Sequence, residues 1–490
     1  MTSTIVSLVP LLLTLALALL LRRTLVALGV GIVSGALLIQ GFSPWPTLMY
    51  LVDTAWVQLY ANDQWQSWHL NVLAAMILLG IMTQLLARGG AVTAFGDWLY
   101  HRIQSERQAR LGVVVLGWLV FIDGIFSCLA VGHICQPLSE RYGIRREQLA
   151  YLVDSNASPL CALLPFSSWG PYVMALLGSL SFLSLSPLTA FIDIAQLNFY
   201  AIVTLVLSVL VAWFGIGFRK PSYARMDTVQ IDAGNPWLLS VPLICLLAGS
   251  MLLMCYSGAS QVNTWDIADW LSHADIGAAM RDASALATLT TLALLKLSGR
   301  GFAALVLDLF HGARTMVFAI SILMFTWMIG AVISDLGVAK MIAAWADIYL
   351  PSFMLVAGMF LLCAIMAFAT GSSWGTFAIM IPIGGEVAHT LDVTLLIPTL
   401  SAVMAGSVFG DHCSPISDTS VLSATSSGCS PHDHVVSQLP FALIAAFSAL
   451  VGFQCMNLGG GYGLSLMLAL MSGLTGLGLA NRLLTSRLAS

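Results

Sequence analysis

The feature that most limits what this chain can become is a series of long apolar runs distributed along its whole length. Ile5–Leu21, Phe199–Phe214, Leu443–Val451 and Leu464–Leu479 contain no charged residue. Crossing the hydrocarbon core of a bilayer takes about 20 mostly apolar residues. Backbone in lipid must satisfy its own hydrogen bonds, which leaves only helices and closed barrels. The runs are too long and unbroken for barrel strands, which alternate and are about 10 residues long. Of the 490 residues 59% are hydrophobic and 9% charged, where a soluble domain carries about 25% charged residues. The expected fold class is an all-α polytopic membrane protein. No low-complexity tract points to disorder, and no basic stripe points to nucleic acid. The nine cysteines are an odd number without a CxxC pair, and read as free, small, apolar residues.

Lys and Arg gather in cytoplasmic loops, which orients the spans. Arg22-Arg23 places the N-terminus outside, with Ile5–Leu21 as a retained helix rather than a signal peptide, because no positive segment precedes it. Residues 41–68 carry Trp45, Trp56, Trp65, Trp68, Asp53 and Asp63 but no Lys or Arg, as an external interfacial segment would. Arg88, Arg102, Arg107 and Arg110 mark the cytoplasm. Crossed as a simple helix, Leu111–Leu138 would then put Arg141, Arg145 and Arg146 outside. The turn signal Asp123-Gly124 removes the conflict if the run is a re-entrant hairpin with its tip there. Residues 148–187 follow as a broken helix, and 199–218 returns to Arg219-Lys220. In the second half, Trp237–Tyr256 leads to an acidic loop with Asp266, Asp269 and Asp275. A short span near Ala283–Leu297 and another at Thr315–Ile333 follow. Met354–Glu386 is a second hairpin around Thr370–Thr376, and 394–429 a second broken helix. Val435–Met456 and Tyr462–Ala480 finish the chain, with Arg482 and Arg487 inside. The layout has about eleven transmembrane helices plus two re-entrant hairpins. It divides into N-terminal helices and interfacial segment (1–68), a first repeat (69–220), linking helices (221–300), a second repeat (301–457) and a C-terminal helix (458–490).

Landmarks recur about 250 residues apart. Phe121-x-x-Gly124 matches Phe368-x-x-Gly371. Asp154 with Ser158-Pro159 matches Asp411 with Ser414-Pro415, and Ser167-Ser168 before Pro171 matches Ser426-Ser427 before Pro431. The hairpins enter from opposite sides, so the repeat is inverted, as in secondary transporters whose broken helices meet at the midplane. Ser-Ser-Trp-Gly, at 167–170 and again at 372–375, does not fit that interval.

Three groups of polar residues carry the candidate chemistry. In Gly410–Ser420, the carboxylates Asp411 and Asp418 lie with Ser414, Ser417 and Thr419 around Pro415. A carboxylate at bilayer depth costs several kcal/mol unless it pairs, binds a cation or protonates, and hydroxyls are ligands that small hard cations prefer. Asp154, Ser155, Asn156 and Ser158, with Ser167 and Ser168, form the second group. The hairpin tips, Asp123 and Gly371-Ser372-Ser373 with Thr376, form the third. Na+ is expected at Asp411, Asp418 and Asp154. Bland readings stand beside these: a polar loop for 410–420, a Pro-kinked helix for 154–171, and a turn N-cap for Asp123. Gly371-x-Ser373-x-Gly375 fits a nucleophile elbow but lacks the strand and the histidine that motif needs. His432-Asp433-His434 with His412, Cys413 and Cys429 matches no zinc spacing and reads as a polar cytoplasmic helix cap. His133 reads as a hydrogen-bonded core residue, with a proton-coupling group as the alternative.

The runs Phe409–Thr419, Gly371–Pro382 and Leu149–Pro159 resemble the NhaC-type Na+/H+ antiporter family, over about residues 70 to 450. The resemblance implies the wider ion-transporter superfamily, with two inverted repeats, re-entrant hairpins, cation coupling at the broken helices and often a homodimer. At the first hairpin the chain departs from the family's two adjacent acids and Asn, having Asp123-Gly124 and Ser127, which bears on stoichiometry and cargo. The leading expectation is Na+/H+ antiport in the inner membrane, with carboxylates alternating between Na+ and H+ and no cofactor. The alternative is Na+-coupled symport of an amino acid or organic acid. A channel or a membrane enzyme fits the motifs less well.

Overall fold

The computed structural model describes residues 6–21, 23–218, 235–262, 264–337 and 354–486. The anchors Arg22, Arg219, Lys220 and Arg487 lie outside the described residues. The chain is mostly helical. Among the described residues six helices are long and apolar enough to cross a membrane, or seven if one bent pair counts as a span.

The N-terminal part is α1 (Val9–Leu21), α2 (Thr24–Ile39) and α3 (Pro44–Val57). The interfacial segment thus contains a helix, followed by an antiparallel pair, β1 (Tyr60–Ala61) and β2 (Gln64–Trp65). Trp56, Tyr60 and Trp65 pack against one another there in tilted and edge-on contacts, the placement expected of an aromatic belt.

The first half continues with α4 (Ser67–Arg88), α5 (Ala91–Arg102), α6 (Glu106–Leu119) and α7 (Gly124–Tyr142). The arms α6 and α7 fold back on each other. Tyr142 Oη donates to the carbonyl of Ile103 at 2.8 Å, and Ile103, Ala109, Leu138 and Ile144 share one apolar cluster at the open end. Next come α8 (Arg146–Leu163), α9 (Trp169–Gly178), α10 (Pro187–Gln196) and α11 (Phe199–Phe214). The bend of 53° between α10 and α11 gives the bent pair.

α12 (Trp237–Ala259), α13 (Ile267–Ser272) and α14 (Ile276–Leu297) link the halves. α14 is longer than the expected Ala283–Leu297, because Arg281 is neutralised by Asp282 and bonded to Asn71. α15 (Phe302–Thr315) and α16 (Val317–Asp335) run on through Met316 and together form a 34-residue helix long and apolar enough to cross a membrane. The polar residues that suggested a loop before Thr315 are accommodated by pairing. Buried Asp308 takes both Arg300, at 2.6 Å, and Arg88, at 3.2 Å.

The second half has α17 (Leu355–Thr370) and α18 (Ser373–Leu391), then α19 (Leu396–Cys413), α20 (Asp418–Ser427), α21 (Pro431–Asn457) and α22 (Tyr462–Ser486). α17 and α18 also turn back: a Cβ at Gly384 would lie 3.9 Å from Sδ of Met359. α19 lies flush on α17 through Gly406-x-x-x-Gly410, where a Cβ at either glycine would sit 2.2 Å from a carbonyl oxygen of α17. Small residues four apart permit this approach in lipid, where packing rather than hydrophobicity holds helices together.

Both expected helix breaks are present, at Leu164–Ser168 between α8 and α9 and at Ser414–Ser417 between α19 and α20. Pro159 lies inside α8, so the proline within the first break is Pro165, as Pro415 is in the second. Ser426-Ser427 close α20 instead of forming a break. At the tips, Asp123 caps α7 and Ser372 caps α18, so these two correspond. Gly371 ends α17 in the left-handed region, at φ +66°, whereas Gly124 begins α7.

Candidate functional site

Each hairpin tip is a helix start built by a side-chain cap. Asp123 Oδ1 accepts the amide of Phe126 at 2.9 Å, and Ser372 Oγ accepts that of Gly375 at 3.3 Å. Each break is enforced by a proline, whose missing N–H and ring prevent a continuous ladder. The starts of α7, α9, α18 and α20 therefore converge. They surround a cavity of about 90 Å³ lined by Asp123, Asp411, Asp418, Ser372, Thr419 and the two rings Trp169 and Trp374, among others. Among the described residues no Lys, Arg or His lines it.

Hairpin and break are stitched together in each half. Ser168 Oγ donates to Asp123 Oδ2 at 2.8 Å, and the Ser168 amide donates to the Ile122 carbonyl at 2.6 Å. In the other half Ser373 Oγ donates to Asp411 Oδ2 at 2.7 Å, and Ser414 Oγ donates to the Phe368 carbonyl at 2.8 Å. A Cβ at Gly371 would lie 2.8 Å from the Ile416 carbonyl oxygen; only glycine admits the break that close at positive φ. The halves also cross. Ser426 Oγ donates to the Cys128 carbonyl at 2.7 Å, joining α20 to α7. Tyr172 Oη donates to the Trp374 carbonyl at 2.8 Å, joining α9 to α18.

Of the residues singled out in the sequence, Asp123, Gly371, Ser372, Asp411, Ser417, Asp418 and Thr419 line the cavity. Ser168 and Ser373 hold two of its carboxylates. Ser167 donates to the Cys161 carbonyl at 2.9 Å, Ser417 shares a hydrogen bond with Thr419, and Thr376 bonds back to the Ser372 carbonyl, so these shape the backbone. The Asp154 group is elsewhere. Asn156 takes Trp118 at 2.7 Å and Ser208 at 3.2 Å, and Ser155 meets His412 at 3.3 Å. Ser158 lies behind Gly124, 3.7 Å from where a Cβ would be. Asp154 lines none of the cavities described and is fully buried. The expected third Na+ ligand is thus apart from the other two, because the break falls after Leu163 and leaves Asp154 within α8. Among the described residues no group of three or more His, Cys, Asp or Glu forms a metal site.

The histidines depart from their expected roles. His434 is buried and contacts Asp154 at 3.0 Å, and His412 is buried against Tyr200 at 2.6 Å. They are not a polar cap. Only Ser430 caps that helix, taking the Asp433 amide. The available signal was His434 with Gln438, polar residues one turn apart heading an apolar helix. His133 is exposed and lines a second cavity, of about 370 Å³, with Gln84, Thr83 and Thr93. That cavity shares Asp123, Ile125, Thr315 and Met316 with the first. The two tryptophans also escaped notice, although Ser-Ser-Trp-Gly marks both: each copy sets its second serine on a carboxylate of the opposite element and its ring against the cavity.

Broken helices and hairpin tips that close around an acidic cavity define a multi-pass membrane transporter. The chain belongs to the Na+/H+ antiporter family, whose sequence profile matches residues 160–458. A Haemophilus influenzae protein described only as uncharacterized is 34% identical over 92% of this chain and 90% of its own length. The malate-2H(+)/Na(+)-lactate antiporter of Bacillus subtilis is 30% identical over 31% of this chain and 32% of its own. Among solved structures, Neisseria gonorrhoeae MtrF, described with a class of antimetabolite efflux pumps, has a similar fold. The TM-score is 0.57 at 15% identity, covering 84% of each chain. The Alcanivorax borkumensis YdaH transporter gives 0.54 at 15% identity, over 84% of this chain and 89% of that one.

Proposed function

We propose that this protein exchanges Na+ for H+ across the inner membrane, with Asp123, Asp411 and Asp418 as the oxygen ligands of the cation. The observation that carries this reading is the cavity of about 90 Å³ that three carboxylates line without a basic residue among those described. It is far smaller than the roughly 300–1,000 Å³ of small-molecule sites, and its oxygen donors suit a hard cation. Two hairpins that re-enter from opposite faces, within about eleven crossings, are the layout that presents the cavity to each side in turn. The test is purified protein in proteoliposomes with an internal pH dye. Adding Na+ outside should move protons outward with no organic solute present. Na+ movement that appears only when an amino acid or organic acid is added would overturn the reading.

One observation favours a second reading, Na+-coupled movement of a small organic solute. The adjoining cavity of about 370 Å³ reaches the same Asp123 and has hydroxyl, amide and imidazole groups in its wall. The malate and lactate named for the Bacillus subtilis relative are the first solutes to try.

A further inference from the structure

Behind the cation cavity lies a second buried polar network. Asp154 Oδ2 accepts from His434 Nε2 at 3.0 Å, Gln438 Nε2 at 3.0 Å and Ser420 Oγ at 3.1 Å. Gln438 also donates to the His412 carbonyl. Three donors on one oxygen are the surroundings of an ionised carboxylate, which accepts only. His434 Nε2 must then carry a hydrogen, and its Nδ1 is buried with no partner, as is Asp154 Oδ1. With His434 neutral the network would hold one uncompensated negative charge at bilayer depth. Among the described residues the ion-pair partners of Asp154 are histidines alone, with His412 Nε2 at 4.0 Å. The other titratable groups facing Asp154 are Asp411 and Cys413 on α19, Tyr200 on α11, Cys128 on α7 and neighbouring Tyr151 on α8. None of these supplies a positive charge.

We propose that the Asp154–His434 pair is a proton-binding site of the transport cycle, separate from the cation cavity. One proton adds at His434 Nδ1 and turns the network into a neutral carboxylate–imidazolium pair; its loss restores the single negative charge. The juxtaposition that makes this useful is between consecutive residues. On α19, Asp411 lines the cavity and His412 faces the network. On α20, Thr419 lines the cavity and Ser420 bonds Asp154. A cation beside Asp411 and a proton on His434 are therefore like charges across a wall one residue thick, and each disfavours the other. Only the identity of the cation rests on the Na+ reading above.

The test uses the full-length protein in nanodiscs. Potentiometric titration from about pH 5 to about pH 9 should find wild type binding about one proton more than His434→Gln, which keeps a donor to Asp154 but cannot take a proton. In weak buffer, Na+ should release protons from wild type and not from the variant, and pH-gradient-driven Na+ flux should fall about tenfold or more. If His434→Gln does not fold, His434→Asn and Asp154→Asn serve. Equal proton counts would make the network a structural one and overturn the proposal. So would a lost proton count with flux within about twofold of wild type. If wild type releases no proton on adding Na+ while the proton count still differs, the Na+ assignment falls and the proton site stands.

Discussion

The hydroxyl of Ser168 lies 2.8 Å from Oδ2 of Asp123, so the break of one helix fastens the carboxylate at the tip of the hairpin beside it. The second half reverses the roles, with Ser373 at the tip and Asp411 on the broken helix. A hydrogen bond to a charged group is worth about 1.5–3 kcal/mol. Ser168→Ala and Ser373→Ala should each weaken apparent cation affinity by about tenfold. Wild-type affinity in both variants, measured by the cation dependence of flux, would show that the stitches do not position the ligands.

Asp411→Asn should abolish transport, by roughly a hundredfold or more, since removing one charged partner from a buried site costs about 3–5 kcal/mol. Its amide still accepts from Ser373, so the variant should insert and purify as wild type does. Near-normal flux in proteoliposomes would remove Asp411 from the cavity's chemistry.

Two glycines at the tips should respond differently. Gly371→Ala places a Cβ 2.8 Å from a carbonyl oxygen at positive φ, and strain of that kind costs about 1–3 kcal/mol. At Gly124 a Cβ meets its neighbours at 3.7 Å, which is ordinary contact. Thermal unfolding in detergent should therefore show a lower midpoint for Gly371→Ala and little change for Gly124→Ala.

The open end of the first hairpin offers a topological test. Cysteines introduced at Gln104 and Arg141, which lie beside the Tyr142–Ile103 hydrogen bond, should both react with an impermeant thiol reagent from the cytoplasmic side. Labelling of one only from outside would mean that Leu111–Leu138 crosses the bilayer.

Much of this was legible in the sequence because lipid permits so few options. Helices, two turns at Asp123-Gly124 and Gly371, and breaks near proline followed from apolar runs interrupted by turn and breaker residues. The register did not follow, since Pro159 and Pro165 are both able to end a helix and only packing decides that Pro159 stays inside α8. Pairing of half-exposed Arg281 and of buried Asp308 lengthened α14 and α15 beyond what their charges suggested. Asp411 and Asp418 were recognisable from the hydroxyls around them, whereas the partners of Asp154 come from α20 and α21, more than 260 residues away. No local spacing encodes such a contact.

The twin Ser-Ser-Trp-Gly segments bear on descent. Copies inherited from one duplicated ancestor would stand at the interval set by Pro165 and Pro415, on the same kind of element. These stand about 205 residues apart, one at a helix break and the other at a hairpin tip. The tetrapeptide thus does the same work at two unlike places, because a small hydroxyl beside a flat ring suits a carboxylate at the edge of a tight cavity. An alignment of the two halves that maximises identity would superpose unlike parts, a helix break on a hairpin tip, so the halves are better compared through their turns and breaks than through their most similar words.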